Sequence, residues 1–145
     1  MLSNTSRYAI RALIYLAINS DKTSKIGIKK IAEDLEIPSP FLGKILQTLT
    51  KQKLLASTKG PNGGFGVNDA TLKVNLMDII RIIDGDDLFD RCLITNKSCT
   101  ELEETPCTLH SHYENIRKEI KDMFSGHTVA SLAEEFKSSE GKIDL

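Results

Sequence analysis

The chain has 145 residues, 40% of them hydrophobic and 27% charged, with no tryptophan and a formal net charge of −1. That is ordinary for a globular protein with an aliphatic core, one domain or a small domain with an appendage. The near-zero charge argues by itself against nucleic acid, but its distribution argues the other way: residues 1–60 hold 10 Lys+Arg against 4 Asp+Glu (+6), and residues 61–145 hold 9 against 16 (−7), so a basic half precedes an acidic one.

Ser3 to Asn19 reads as the first helix. Tyr8, Ile10, Leu13, Ile14, Ala17 and Ile18 form its apolar face, and Arg7 and Arg11 lie one turn apart. The two arginines fit either a solvated face or phosphate contact. The apolar run Ala9–Ile18 is broken by Arg11 and is too short to span a membrane, and no cleavage site follows it. A cytoplasmic protein without membrane contact is expected. A polar loop from Asp21 leads to a short helix, Ile28 to Glu36, with Ile28, Ile31, Ala32 and Leu35 inward. Ile37-Pro38 ends it, because proline disfavours helix in the residue before it.

The next stretch organises the chain. Ser39 is placed to cap a helix and Pro40 to fill its first position. Leu42, Ile45, Leu46 and Leu49 recur at helical spacing as a buried stripe, to about Lys53. Gly43, Lys44, Gln47 and Lys51 fall on the other face, which carries donors and no carboxylate. Lys59-Gly60-Pro61-Asn62-Gly63-Gly64 then joins Leu54–Thr58 to Phe65–Val67 as a tight hairpin. Two helices joined by a short turn, a third behind them and a basic Gly-rich hairpin predict a winged helix-turn-helix that docks on DNA.

Asn68 to Asn75 reads as a polar connector, and Leu76, Ile79, Ile80 and Ile83 mark a helix stopped at Gly85. Asp84, Asp86, Asp87 and Asp90 read as a solvated acidic stretch. Arg91 to Leu109 lacks periodicity. Beyond it Tyr113, Ile116, Ile120, Met123 and Phe124 line one face of a helix at near-heptad spacing. That seam can pack on its own domain or pair with its copy in a second subunit, and pairing is the preferred expectation. Thr128 is placed to cap a last helix carrying Val129, Leu132, Ala133 and Phe136, and Lys137–Leu145 reads as a frayed tail.

The unpatterned loop holds all three cysteines. Six residues separate Cys92 from Cys99, seven separate Cys99 from Cys107, and two separate Cys107 from His110. Thiolates and imidazole suit zinc or an iron–sulfur cluster. No close Cys-x-x-Cys pair is present, so a metal site, a redox-active thiol set and cysteines without a special role all remain open. No Walker-type loop occurs: Gly60–Gly66 lacks the Lys-Ser/Thr and helix that would follow. His127 has no nucleophile or acid beside it in sequence, and no enzyme is expected.

Ser6-Arg7-Tyr8-Ala9-Ile10-Arg11-Ala12-Leu13, Ile31-Ala32-Glu33, Ile37-Pro38-Ser39-Pro40-Phe41-Leu42, Lys59-Gly60-Pro61-Asn62-Gly63-Gly64-Phe65 and Thr128-Val129-Ala130-Ser131-Leu132 together resemble the bacterial winged-helix regulators typified by IscR, NsrR and CymR. The resemblance spans nearly the whole chain. It implies a mainly α fold, a winged helix-turn-helix with a small β-hairpin wing, plus a long C-terminal dimerisation helix. The expected layout is a DNA-binding domain at 1–67, a connector and helix at 68–90, a sensor loop at 91–109, and dimerisation and terminal helices at 110–145.

The resemblance also implies a homodimeric transcription regulator on a palindromic double-stranded operator. Ser39, Pro40, Phe41, Gly43 and Lys44, with Gln47, would face the major groove. Lys59, Gly60 and Pro61 would approach the minor groove or phosphates, with Arg7 as a further phosphate contact. Lys59 stands where many relatives have arginine and lacks its fork geometry. Gly43 stands where several have a polar or acidic residue, so a different operator is implied. Cys92, Cys99, Cys107 and His110 match the ligands of the IscR-like type, which implies a 2Fe–2S iron–sulfur cluster sensing cluster supply, redox state or nitric oxide. Arg7 occupies the place of the acid that ligates in NsrR-like members. The alternative is a cluster-free regulator answering to a small molecule, a partner protein or thiol oxidation.

Overall fold

The computed structural model of the chain describes residues 2–95, 97–98 and 108–139. Helix α1 (Asn4–Asn19) starts at Ser3, whose hydroxyl accepts from Ser6 N–H as an N-cap should. Its buried face, including Ala9, Ala12, Leu13 and Leu16, is the axis of the core. Helix α2 (Ile28–Leu35) ends at Glu36, which adopts the left-handed conformation (φ 54°) and returns its N–H to Ala32 and Glu33. The stop is therefore made by Glu36 as well as by Pro38.

Helix α3 (Ser39–Lys51) begins one residue earlier than expected. Pro38, not Ser39, is the N-cap, and its carbonyl accepts from Phe41 and Leu42. Ser39 and Pro40 occupy the first turn, where no intrahelical N–H partner is required. The helix closes at Gln52 and the left-handed Lys53 (φ 59°). Strands β1 (Ala56–Thr58) and β2 (Gly64–Gly66) pair antiparallel, with Ser57 opposite Phe65.

Two features were not foreseen. The supposed connector contains a short helix, α4 (Asp69–Lys73), with a capping box between Asn68 and Thr71. The buried Thr71 hydroxyl also donates to Leu54 O. The C-terminal segment returns to the N-terminal half: Leu76 N–H donates to His127 O, and Val129 N–H to Val74 O. Helix α7 (Val129–Ser138), with its Thr128–Ser131 capping box, packs on α1 and α4. Val129 is fully buried in the main core.

Helix α5 (Leu76–Asp84) lies on α1 and stops at Gly85, whose φ of 87° suits glycine. A 3-10 turn, Asp86–Phe89, follows. Helix α6 (His110–Gly126) lies on α5. Met77, Ile80 and Phe89 form a second small core that Ile120 and Phe124 cover. The expected seam of α6 is thus divided. Ile120 and Phe124 face inward, while Ile116 (53%) and Met123 (51%) are exposed.

The acidic stretch is more than solvated. Asp84 accepts from both the hydroxyl and the N–H of Ser3, and Asp90 pairs with Lys121 at 2.8 Å. Among the described residues, no helix is long and apolar enough to cross a membrane.

Candidate nucleic-acid interface

Helix α3 buries Leu42, Ile45, Leu46 and Leu49 against the core. The 3.6-residue period then dictates what is left outside. Pro40, Lys44, Gln47 and Lys51 make an exposed crest. Phe41 and Thr48 form the shoulder towards α1 and α5, and Gly43 and Thr50 the shoulder towards α2 and the wing. Ser39 is half-buried in the first turn. Gly43 sits where the helices cross: a Cβ there would meet Ile28 Cδ1 at 3.2 Å.

Between α3, the start of α2 and the wing lies a cleft of about 680 Å³. Gln47, Thr50 and Lys51 line one bank, Ser57, Thr58, Lys59, Gly60 and Pro61 the other, and Lys29 closes the α2 end. No carboxylate lines it. Lys29, Lys44, Lys51 and Lys59 make no ion pair among the described residues. Three lysine charges, Lys29, Lys51 and Lys59, thus face solvent across one concave surface, with Lys44 on the adjoining crest and hydroxyl and amide donors between them. That is the chemistry a polyanion requires.

The wing is held in place rather than hanging from its strands. Phe65 exchanges both backbone hydrogen bonds with Ile26, at 2.8 and 2.9 Å. So close an approach requires glycine on either side. A Cβ on Gly64 would lie 2.3 Å from Ile26 O, and one on Gly66 would lie 2.6 Å from Ser24 O. At the tip, Gly60 has φ 110° and its carbonyl accepts from Gly63.

On α1, Arg7 is exposed. Arg11 is not part of a solvated or phosphate-binding face: it donates to Leu35 O at 2.8 Å and stacks over the Tyr8 ring. Below it, Tyr15 donates to Asp34, which also pairs with Lys30. Burial and that bond push the Tyr15 phenol up to about 12. The bonds from Lys30 and Tyr15 hold the Asp34 carboxyl below its ordinary range.

Of the four sulfur and nitrogen candidates, two can be placed. Cys92 is buried, its N–H bonded to Lys97 O at 3.0 Å beside an Arg91–Ser98 bridge. His110 is the half-buried first residue of α6. Cys99 and Cys107 lie outside the described residues. No group of three or more His, Cys, Asp or Glu is gathered among the described residues. The residues missed in the sequence were Lys29, Thr50, Ser57 and Thr58. Their only signal was a basic or hydroxyl residue near a helix or strand end, which is too common to single out.

Residues 2–135 match the Rrf2 family, described as iron-dependent transcriptional regulators. The chain belongs to the Rrf2 family. A protein of Aquifex aeolicus named as an HTH-type transcriptional regulator is 36% identical over 132 residues, covering 91% of this chain and 90% of its own. Among solved structures, CymR, the global cysteine regulator of B. subtilis, superposes with a TM-score of 0.73 at 20% identity, covering 93% of this chain and 97% of its own. IscR of T. potens gives 0.70 at 23%, covering 100% and 93%. These two likenesses are of fold. This Rrf2 chain is a winged-helix, DNA-binding transcriptional regulator and not an enzyme.

Proposed function

We propose that this regulator reads a palindromic operator as a homodimer, with the crest of α3 in the major groove and the wing beside it. The observation that carries the reading is the carboxylate-free cleft joining α3 to the wing, with Lys29, Lys51 and Lys59 around it. Ser39, Pro40, Phe41, Lys44 and Gln47 would meet base edges and the nearby backbone. Lys59, Gly60 and Pro61 would follow the minor groove or phosphates, and Arg7 would add a phosphate contact. Gly43 would contribute a close helix crossing rather than a base contact. The exposed Ile116 and Met123 on α6 would pair with the same helix of a second copy.

The reading extends to a sensor. The donor set of three thiolates and an imidazole suits a 2Fe–2S cluster, which when bound would supply a centre responsive to redox state and nitric oxide. Cys92, Cys99, Cys107 and His110 would hold it. The chain around Cys92 is tied to α6 on its N-terminal side: the buried Arg117 donates to Phe89 O, and Lys121 pairs with Asp90. A rearrangement at Cys92 would therefore bear on α6, and through α6 on the spacing of the two α3 helices.

Two measurements test this. Sites selected from random duplex DNA by the full chain should be palindromic, and Lys44→Ala should weaken binding to them. Selection of no DNA, or binding indifferent to Lys44, contradicts the interface. Protein purified anaerobically should be brown, with iron and sulfide lost in Cys99→Ala. A colourless, iron-free protein that still selects the same sites would leave the cluster-free reading in its place.

A further inference from the structure

We infer that Phe41 is the thymine-reading residue of this regulator: its ring receives a thymine 5-methyl group in the major groove, and Tyr8 positions it. The inference rests on the DNA-binding reading above and adds a base preference to it.

Phe41 is a large apolar side chain left 40% exposed in the first turn of α3. Its neighbours on the same side of the helix are Lys44 and Thr48. Isolated exposed apolar residues are common and need no explanation. This one differs in being braced. The Tyr8 ring meets Phe41 edge-on, with centroids 5.7 Å apart and an interplanar angle of 88°. Tyr8 in turn lies under the Arg11 guanidinium, 5.9 Å from its centroid, and Arg11 is tied to the end of α2 through Leu35 O. The Phe41 ring is therefore backed by a chain of contacts reaching across two helices. What remains exposed is an apolar surface braced by Tyr8.

That surface opens onto a groove of about 200 Å³. Phe41, Ile45, Ile82 and Ile83 give it an apolar floor, and Thr5, Lys44 and Thr48 a polar rim. It adjoins the crest that would enter the major groove. Base edges there offer hydrogen-bond donors and acceptors and one apolar group, the thymine methyl. An apolar receptor beside Lys44 and Thr48 is matched by that group and by no other base feature. A polar edge placed there would lose its water without gaining a partner. Tyr8 acts through Phe41, as a positioning residue.

The test starts from sites selected by the full-length protein, which should contain a thymine whose methyl group is required. Replacing thymines one at a time with uracil removes a methyl and leaves pairing and phosphates unchanged. At one position per half-site the wild type should bind about fourfold more weakly, the effect of one methyl group withdrawn from apolar contact. In Phe41→Ala that penalty should vanish, while the salt dependence of binding is retained. In Tyr8→Leu it should shrink, and in Tyr8→Phe it should persist. Circular dichroism checks that each variant folds. Selected sites with no methyl-sensitive thymine, or a penalty equal in wild type and Phe41→Ala, would overturn the inference while leaving the DNA-binding reading intact. Failure of the wild type to select any site would instead remove the reading beneath it.

Discussion

Gly64 shows how one residue decides where the wing stands. Its missing side chain lets β2 approach Ile26 closely enough for two backbone hydrogen bonds. Gly64→Ala should cost about 1–3 kcal/mol through overpacking against that backbone. It should lower the melting temperature and weaken DNA binding further than its effect on folding explains. Thermal unfolding and binding titrations of the same preparation check both. The Tyr15–Asp34–Lys30 group makes a prediction about pH. Asp34 is held below its ordinary value, so its contribution is complete above about pH 4–5 and is lost as pH falls through the lowered value. Tyr15 is raised to about 12, so its contribution is complete below about pH 10 and is lost as pH rises through 12. The melting temperature should therefore fall on both sides of a neutral plateau, and Asp34→Asn should reduce the acid-side fall. A fall of equal size in Asp34→Asn would exclude Asp34 as its source.

At the scale of elements, α6 makes the clearest commitment. Its apolar residues serve two surfaces: Ile120 and Phe124 cover the small core under α5, and Ile116 and Met123 are left outside. Ile116→Glu should dissociate a dimer without unfolding the chain, seen as halved mass in sedimentation equilibrium with an unchanged far-ultraviolet spectrum. Retained dimer mass would place the subunit contact elsewhere. The elements also show what could be read in advance. The α3 stripe, the wing glycines and the Thr128 cap announced themselves because local chemistry dictates them: period, turn geometry and an N-cap hydroxyl. The start of α3 was misplaced by one residue because Ser39 is the better cap in isolation, whereas the chain uses the Pro38 carbonyl and dihedrals. Helix α4 was missed because five residues give no period, although its capping box was written in Asn68 and Thr71. The Asp84–Ser3 bond and the return of α7 onto α1 join residues far apart in sequence, and no local pattern encodes such pairings.

Over the whole molecule, charge and shape converge on one surface. The net charge of −1 conceals a basic first half, and folding gathers part of that half around the α3–wing cleft, with Lys29, Lys51 and Lys59 lining it and Lys44 on the adjoining crest. Sequence placed Lys44 and Lys59 in the site. It did not place Lys29 there, because the approach of α2 to the wing depends on the Ile26–Phe65 bridge. The salt dependence of binding tests this surface most directly. Affinity for a selected site should fall linearly with salt on a log–log plot, and each lysine that touches phosphate should contribute roughly 0.9 to the slope. Measured by fluorescence anisotropy, the triple variant Lys29→Ala, Lys51→Ala, Lys59→Ala should lose about 2–3 from the magnitude of the slope per subunit. A slope equal to that of the wild type would show that DNA does not bind across this cleft.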